Sequence, residues 1–84
     1  MNVLEIEEKL KQHIVKEFFS GDPATLTSET KLLSTGILDS ISALQIVDFI
    51  EETFEIQFEA HDVDQENLNS IRLITDFIIR KRSQ

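Results

Sequence analysis

The sequence predicts an all-α fold, a small four-helix bundle of three main helices and one short one, with a long loop between the first two. Three observations lead there. Apolar residues recur at spacings of three and four in three separate stretches, the period of one buried helix face. Glu55-Ile56-Gln57-Phe58 alternates in the strand period, but it is four residues long and has no partner strand in the sequence. The chain is 84 residues long, which suits one domain over residues 1–84 and one core, with no cysteine to staple it.

The first helix is expected from Val3 to Phe19, with Val3, Ile6, Leu10, Ile14 and Phe18 forming its apolar stripe. Glu5, Glu7 and Glu8 lie in its first turns and Lys9, Lys11 and Lys16 further along, the arrangement that the helix dipole favours. Ser20-Gly21-Asp22-Pro23 stops it. The connection from Ala24 to Leu38 is too rich in aliphatics for a free linker, since Leu26, Leu32, Leu33, Ile37 and Leu38 can tack it to the core. A short helical turn is expected near Leu32 to Ser34. The second helix starts at Asp39 or Ser40 and carries Ile41, Leu44, Ile46, Val47, Ile50 and Phe54, with Gln45, Asp48, Glu51, Glu52 and Glu55 on its polar face.

Glu55 to Phe58 is expected to be an extended link whose Ile56 and Phe58 dip into the core. His61 to Asn67 can form one or two helical turns with Val63 and Leu68 inward. Asn69 or Ser70 caps the last helix, which buries Ile71, Ile74, Phe77 and Ile78 and ends in Arg80-Lys81-Arg82.

The net charge is −8, and it is unevenly spread. From Leu32 to Ile71 there is no Lys or Arg, whereas Asp39, Asp48, Glu51, Glu52, Glu55, Glu59, Asp62, Asp64 and Glu66 all fall there. Such a segment repels nucleic acid and anionic lipid and attracts basic protein surfaces. Its plainer reading is a solvated face that keeps the protein soluble. No basic region followed by an apolar run opens the chain, and no apolar run is long enough to span a bilayer, so a cytoplasmic protein without membrane insertion is expected. Every apolar stripe is needed for one core, which points to a monomer.

The chemistry available is sparse. Without cysteine there is no thiol nucleophile, and His13 and His61 lie far apart with no serine or cysteine partner, so catalysis by the chain itself is not expected. Asp62-Val63-Asp64-Gln65-Glu66 resembles a calcium loop only superficially, lacking the glycine and the closing glutamate, and no dedicated metal site is expected. The distinctive stretch is Gly36-Ile37-Leu38-Asp39-Ser40-Ile41. Asp39 or Ser40 can cap the second helix, and a Ser40 hydroxyl at a helix start sits where the positive end of the dipole favours a phosphodiester. Capping alone would explain the pair in an arbitrary protein.

That stretch resembles the acyl carrier protein family, whose glycine is followed by Asp-Ser-Leu. Ile50-Glu51-Glu52-Thr53-Phe54-Glu55-Ile56 resembles the family's acidic close to its second helix, and Glu66-Asn67-Leu68-Asn69-Ser70-Ile71 its approach to the last one. The resemblance implies that Ser40 takes 4′-phosphopantetheine from coenzyme A and carries acyl groups as thioesters while other enzymes act. It implies that Asp39 assists a metal-dependent phosphopantetheinyl transferase and that Ile41 gives an apolar contact beside the serine. It implies that Gln45, Asp48, Glu51 and Glu52 meet basic surfaces of the acyl-loading and acyl-processing enzymes of fatty-acid, polyketide or related biosynthesis.

Two positions depart from the family pattern. Ile41 replaces the usual Leu, and Asp48 stands where many fatty-acid carriers expose an apolar residue. Leu33-Ser34-Thr35-Gly36-Ile37-Leu38 looks more like specialised free-standing carriers, including D-alanyl and other aminoacyl carriers. An aminoacyl or peptidyl carrier is therefore an alternative, and an acidic helical adaptor without a prosthetic group is another of a different class.

Overall fold

The structure, a computed structural model, describes residues 2–19 and 21–83. It has four helices, α1 (Val3–Glu17), α2 (Ser40–Phe54), α3 (Gln65–Leu68) and α4 (Ile71–Arg82), with 3₁₀ turns at Pro23–Thr25 and Ala60–Asp62. No strand occurs among the described residues, so the all-α bundle expected from the apolar periods is the fold. None of these helices is long and apolar enough to cross a membrane.

α1 is capped by Asn2, whose side-chain oxygen accepts the Glu5 N–H at 2.9 Å. Its stripe buries Ile6, Leu10 and Ile14, while Val3 is largely exposed. The helix ends at Glu17, earlier than Phe19, because Phe18 leaves helical geometry at φ −130°. The Phe18 and Phe19 N–H groups both return to the Ile14 carbonyl, and both rings pack on the core. The expected stop begins at Ser20, which lies outside the described residues.

The connection from α1 to α2 is tacked down as its leucines suggested, with Leu26, Leu32 and Leu38 buried. Its helical turn, however, is at Pro23–Thr25 and not at Leu32–Ser34. Asp22 Oδ1 accepts the Ala24 N–H at 3.0 Å, and proline occupies the first position, where a missing N–H costs nothing. At Leu33 the chain makes a single non-helical turn, closed by the Gly36 N–H on the Leu33 carbonyl at 3.2 Å, which does not continue because Gly36 takes the left-handed conformation at φ 82°. Leu32 donates to the Asn69 carbonyl at 2.7 Å, and Leu33 and Ser34 donate to the Asn69 side-chain oxygen at 2.9 and 3.1 Å. Further back, the Arg72 N–H donates to the Ser28 carbonyl at 2.9 Å, so the connection is held to both sides of the α3–α4 junction.

α2 buries Ala43, Ile46, Val47, Ile50 and Phe54. The expected stripe is corrected at its start, because Ile41 and Leu44 point outward with 69% and 54% of their surface exposed. The helical period carries the inner face from Ile46, Val47 and Ile50 back to Ala43 and leaves those two on the neighbouring side. Glu55 closes the helix in the left-handed conformation, at φ 56°.

The second connection then runs extended. Ile56 is buried and the Phe58 ring stacks on Phe77 of α4 at 4.5 Å, as the expected inward link requires. The short helical region is split in two. Glu59 and Asp62 cap the 3₁₀ turn reciprocally, and Asp64 then opens α3 by accepting the Asn67 N–H at 3.1 Å. Leu68 is buried and Val63 half-buried. Of the two candidate caps for α4, Ser70 takes the role, its Oγ accepting the Leu73 N–H at 3.1 Å. α4 packs on α1 and α3, and all the buried aliphatics join one core. His13 of α1 stacks on Phe49 of α2 at 3.8 Å.

Candidate functional site

The site is built at the junction of the first connection and α2. Leu32 and Leu38, both buried, hold the two ends of a turn that the Leu38 N–H closes on the Leu32 carbonyl at 2.9 Å. Within it Gly36 has φ 82°, and a side chain there would meet nothing within 4 Å. The glycine is therefore required by backbone conformation and not by crowding.

Directly after this turn, Asp39 is extended and caps α2, its Oδ1 accepting the Ser42 N–H at 2.8 Å. That hydrogen bond is the first cause holding the Asp39 carboxyl below its ordinary value. Ser40 is the first residue of α2 and is exposed. Its hydroxyl thus stands at the positive end of a 15-residue helix dipole. A cleft of about 310 Å³ opens beside it, lined by Leu33, Ala43, Leu44, Val63 and Leu68, with Asp64 and Gln65 at its polar side.

The other candidate residues fall along α2. Ile41 lies next to Ser40 and exposed; Gln45, Asp48 and Glu52 are also exposed. Glu51 differs from them. It is half-buried, and its Oε2 accepts the Phe58 N–H at 2.8 Å, so this carboxylate also fastens the second connection.

Asn69 is the participant that sequence reasoning left as one of two helix caps. Its side chain reaches across to the turn before Ser40, a contact for which the sequence offers only an aliphatic turn in need of an anchor.

The two histidines are not brought together. His13 packs between Phe18 and Phe49, and burial holds it below its ordinary pKa. His61 Nε2 lies 3.4 Å from both Glu59 Oε2 and Asp62 Oδ1 on an exposed turn. Ligand atoms of these three residues lie within 4.8 Å of one another. One oxygen of Asp62 is already committed, because its Oδ2 accepts the Glu59 N–H at 3.0 Å and pairs with Lys81 Nζ at 3.0 Å, while Oδ1 faces His61. The Glu59 and Lys81 contacts, the backbone N–H first, hold the Asp62 carboxyl below its ordinary value.

An accessible hydroxyl at a helix start can accept a phosphodiester, with the helix dipole in favour and the Asp39 charge opposed. The neighbouring cleft can shelter apolar atoms. Comparison with known proteins agrees with this chemistry. The family described as phosphopantetheine attachment site matches residues 8–78. The chain is also similar to the probable acyl carrier protein PigG of Serratia sp., at 24% identity over 78 residues covering 93% of this chain and 90% of that one. The family match runs from within α1 to within α4 and covers most of the chain, and on that ground the chain belongs to the acyl carrier proteins, the family that holds 4′-phosphopantetheine covalently.

Proposed function

We propose that Ser40 is the attachment residue and that the chain carries acyl intermediates between the enzymes of a fatty-acid, polyketide or related biosynthetic route in the cytoplasm. The observation that carries this reading is the exposed Ser40 hydroxyl at the start of α2, capped by Asp39 and beside an apolar cleft. The attached group supplies a terminal thiol, which this cysteine-free chain lacks, for holding cargo as a thioester. The chain itself catalyses no step.

Attachment forms a bond from Ser40 Oγ to the phosphorus of the pantetheine phosphate of coenzyme A. The bond to the nucleotide phosphate breaks, and the serine proton leaves to a base on the transferase. Asp39, which is exposed, offers its carboxylate to the divalent cation that the transferase brings. Ile41 and Leu44 give an exposed apolar contact on the first turns of α2, and Gln45, Asp48 and Glu52 continue the same helix as a polar face for basic partners. Glu51 belongs to this face more weakly, because its carboxylate is partly engaged by Phe58.

The test is intact mass after incubation with coenzyme A, magnesium and a promiscuous phosphopantetheinyl transferase. The wild type is expected to gain one phosphopantetheinyl group and Ser40→Ala none, with unchanged helical content. A wild type that stays unmodified, or a Ser40→Ala chain that is modified, would refute the assignment and favour the acidic adaptor or another serine.

A further inference from the structure

We propose that Asn69 is a positioning residue for Ser40, holding the turn that precedes it in the conformation the transferase needs; this rests on the assignment of Ser40 as the attachment residue. Asn69 is buried at the boundary of two helices. Its N–H donates to the Gln65 carbonyl at 3.1 Å and closes α3, and the next residue, Ser70, caps α4. From that fixed place its carbonyl accepts the Leu32 N–H, its Oδ1 accepts the Leu33 and Ser34 N–H groups, and its Nδ2 lies 3.4 Å from Ser34 Oγ.

One side chain thereby satisfies two consecutive backbone donors that the turn cannot satisfy internally. The turn is short and closed on itself from Leu38 to Leu32, so its orientation is passed directly to the Asp39 cap and the Ser40 hydroxyl. None of the Asn69 hydrogen bonds goes to Ser40 or to another residue of α2. Removal of Asn69 therefore displaces the hydroxyl without altering the surface on which a partner docks, and a displacement of about 1 Å at a reacting group is costly to rate.

The experiment measures steady-state phosphopantetheinylation of wild type, Asn69→Ala, Asn69→Asp and Asn69→Gln with coenzyme A, magnesium and one transferase. Amide exchange is followed residue by residue on the unmodified chains. Asn69→Ala is expected to lower kcat about tenfold with KM within about twofold, and to speed exchange at Leu33 and Ser34 while α4 stays protected. Asn69→Asp keeps an accepting oxygen at the same place and restores kcat to within about threefold of wild type. Asn69→Gln keeps the amide but moves its oxygen by one methylene, and falls with Asn69→Ala.

Wild-type kcat in a folded Asn69→Ala chain whose Leu33 and Ser34 amides exchange freely overturns the inference, since Asn69 is then a clasp with no bearing on Ser40. If Asn69→Ala does not fold, wild-type kcat in Asn69→Gln overturns it equally. Failure of the wild type to be modified overturns instead the assignment of Ser40, and this inference with it.

Discussion

The two long connections of this bundle are fastened by different chemistry. The first, between α1 and α2, is held by buried leucines and by neutral hydrogen bonds to an amide and a carbonyl of Asn69. The second, between α2 and α4, also buries apolar side chains, Ile56 and Leu68, and stacks Phe58 on Phe77, but its polar fastenings are carboxylates: Glu51 on the Phe58 N–H, Asp62 on the Glu59 N–H and Lys81, and Asp64 at the start of α3. In the first, the bonds that hold the turn before Ser40 involve no titrating group, and a carboxylate enters only at the Asp39 cap. The second borrows the protein's acidic charge for its own structure, so charge that could serve partners is partly spent internally.

The largest expected break is Leu32→Ala. Leu32 is wholly buried and anchors the turn before Ser40, so its truncation should cost about 2–5 kcal/mol, read as a lower urea midpoint. Glu51→Ala should cost less, about 1.5–3 kcal/mol for a lost hydrogen bond to a charged acceptor. Its amide-exchange signature should appear at Phe58 and leave Leu33 protected, and loosening at Leu33 would contradict the division between the connections.

Acid should separate the two without mutation. Asp62 is held below its ordinary pKa in the folded chain, so the unfolded state takes up protons first as pH falls. Its contribution is fully present above about pH 4 and is lost as pH drops through the depressed folded value. Protection factors at Glu59 should therefore fall before those at Leu33 and Ser34 on acidification, which NMR exchange would show. Asp39, depressed in the same direction, should release the α2 cap in the same acid range.

The smallest effects concern the left-handed residue that each connection contains, glycine at Gly36 and a non-glycine at Glu55. Gly36→Ala should cost about 1 kcal/mol from backbone conformation alone, since the space around it is open. Glu55→Gly should stabilise by about 0.5–1 kcal/mol by removing a Cβ from the left-handed region. Thermal midpoints of the two variants, moving in opposite directions, would check both.

The helices were legible because each buries one face, and Ile6, Leu10, Ile14 or Ile71, Ile74, Phe77, Ile78 repeat at the helical period. The Asp39 cap and the helix start at Ser40 were legible because a helix cap is a local event, decided within three residues. What the sequence did not disclose is non-local. Nothing in Asn69-Ser70 says which residue caps α4 and which reaches back to Leu33, because both side chains can cap. Likewise Glu51 belongs by period to a polar face, and only the path of the following chain brings Phe58 within its reach. The turn at Pro23–Thr25 did carry a local signal, Asp22-Pro23, but the aliphatic cluster around Leu32 outweighed it.

The Asn69 contacts also bear on the order in which the molecule assembles. They join residues 35 and 36 positions apart, and contacts so distant in sequence form only after the entropy of closing the intervening loop has been met. The turn before Ser40 therefore cannot gain these bonds until the chain through Asn69 is available and in place. A chain emerging from the ribosome presents Ser40 before Asn69 has followed, so the hydrogen bonds of the turn that precedes the serine belong to the finished fold.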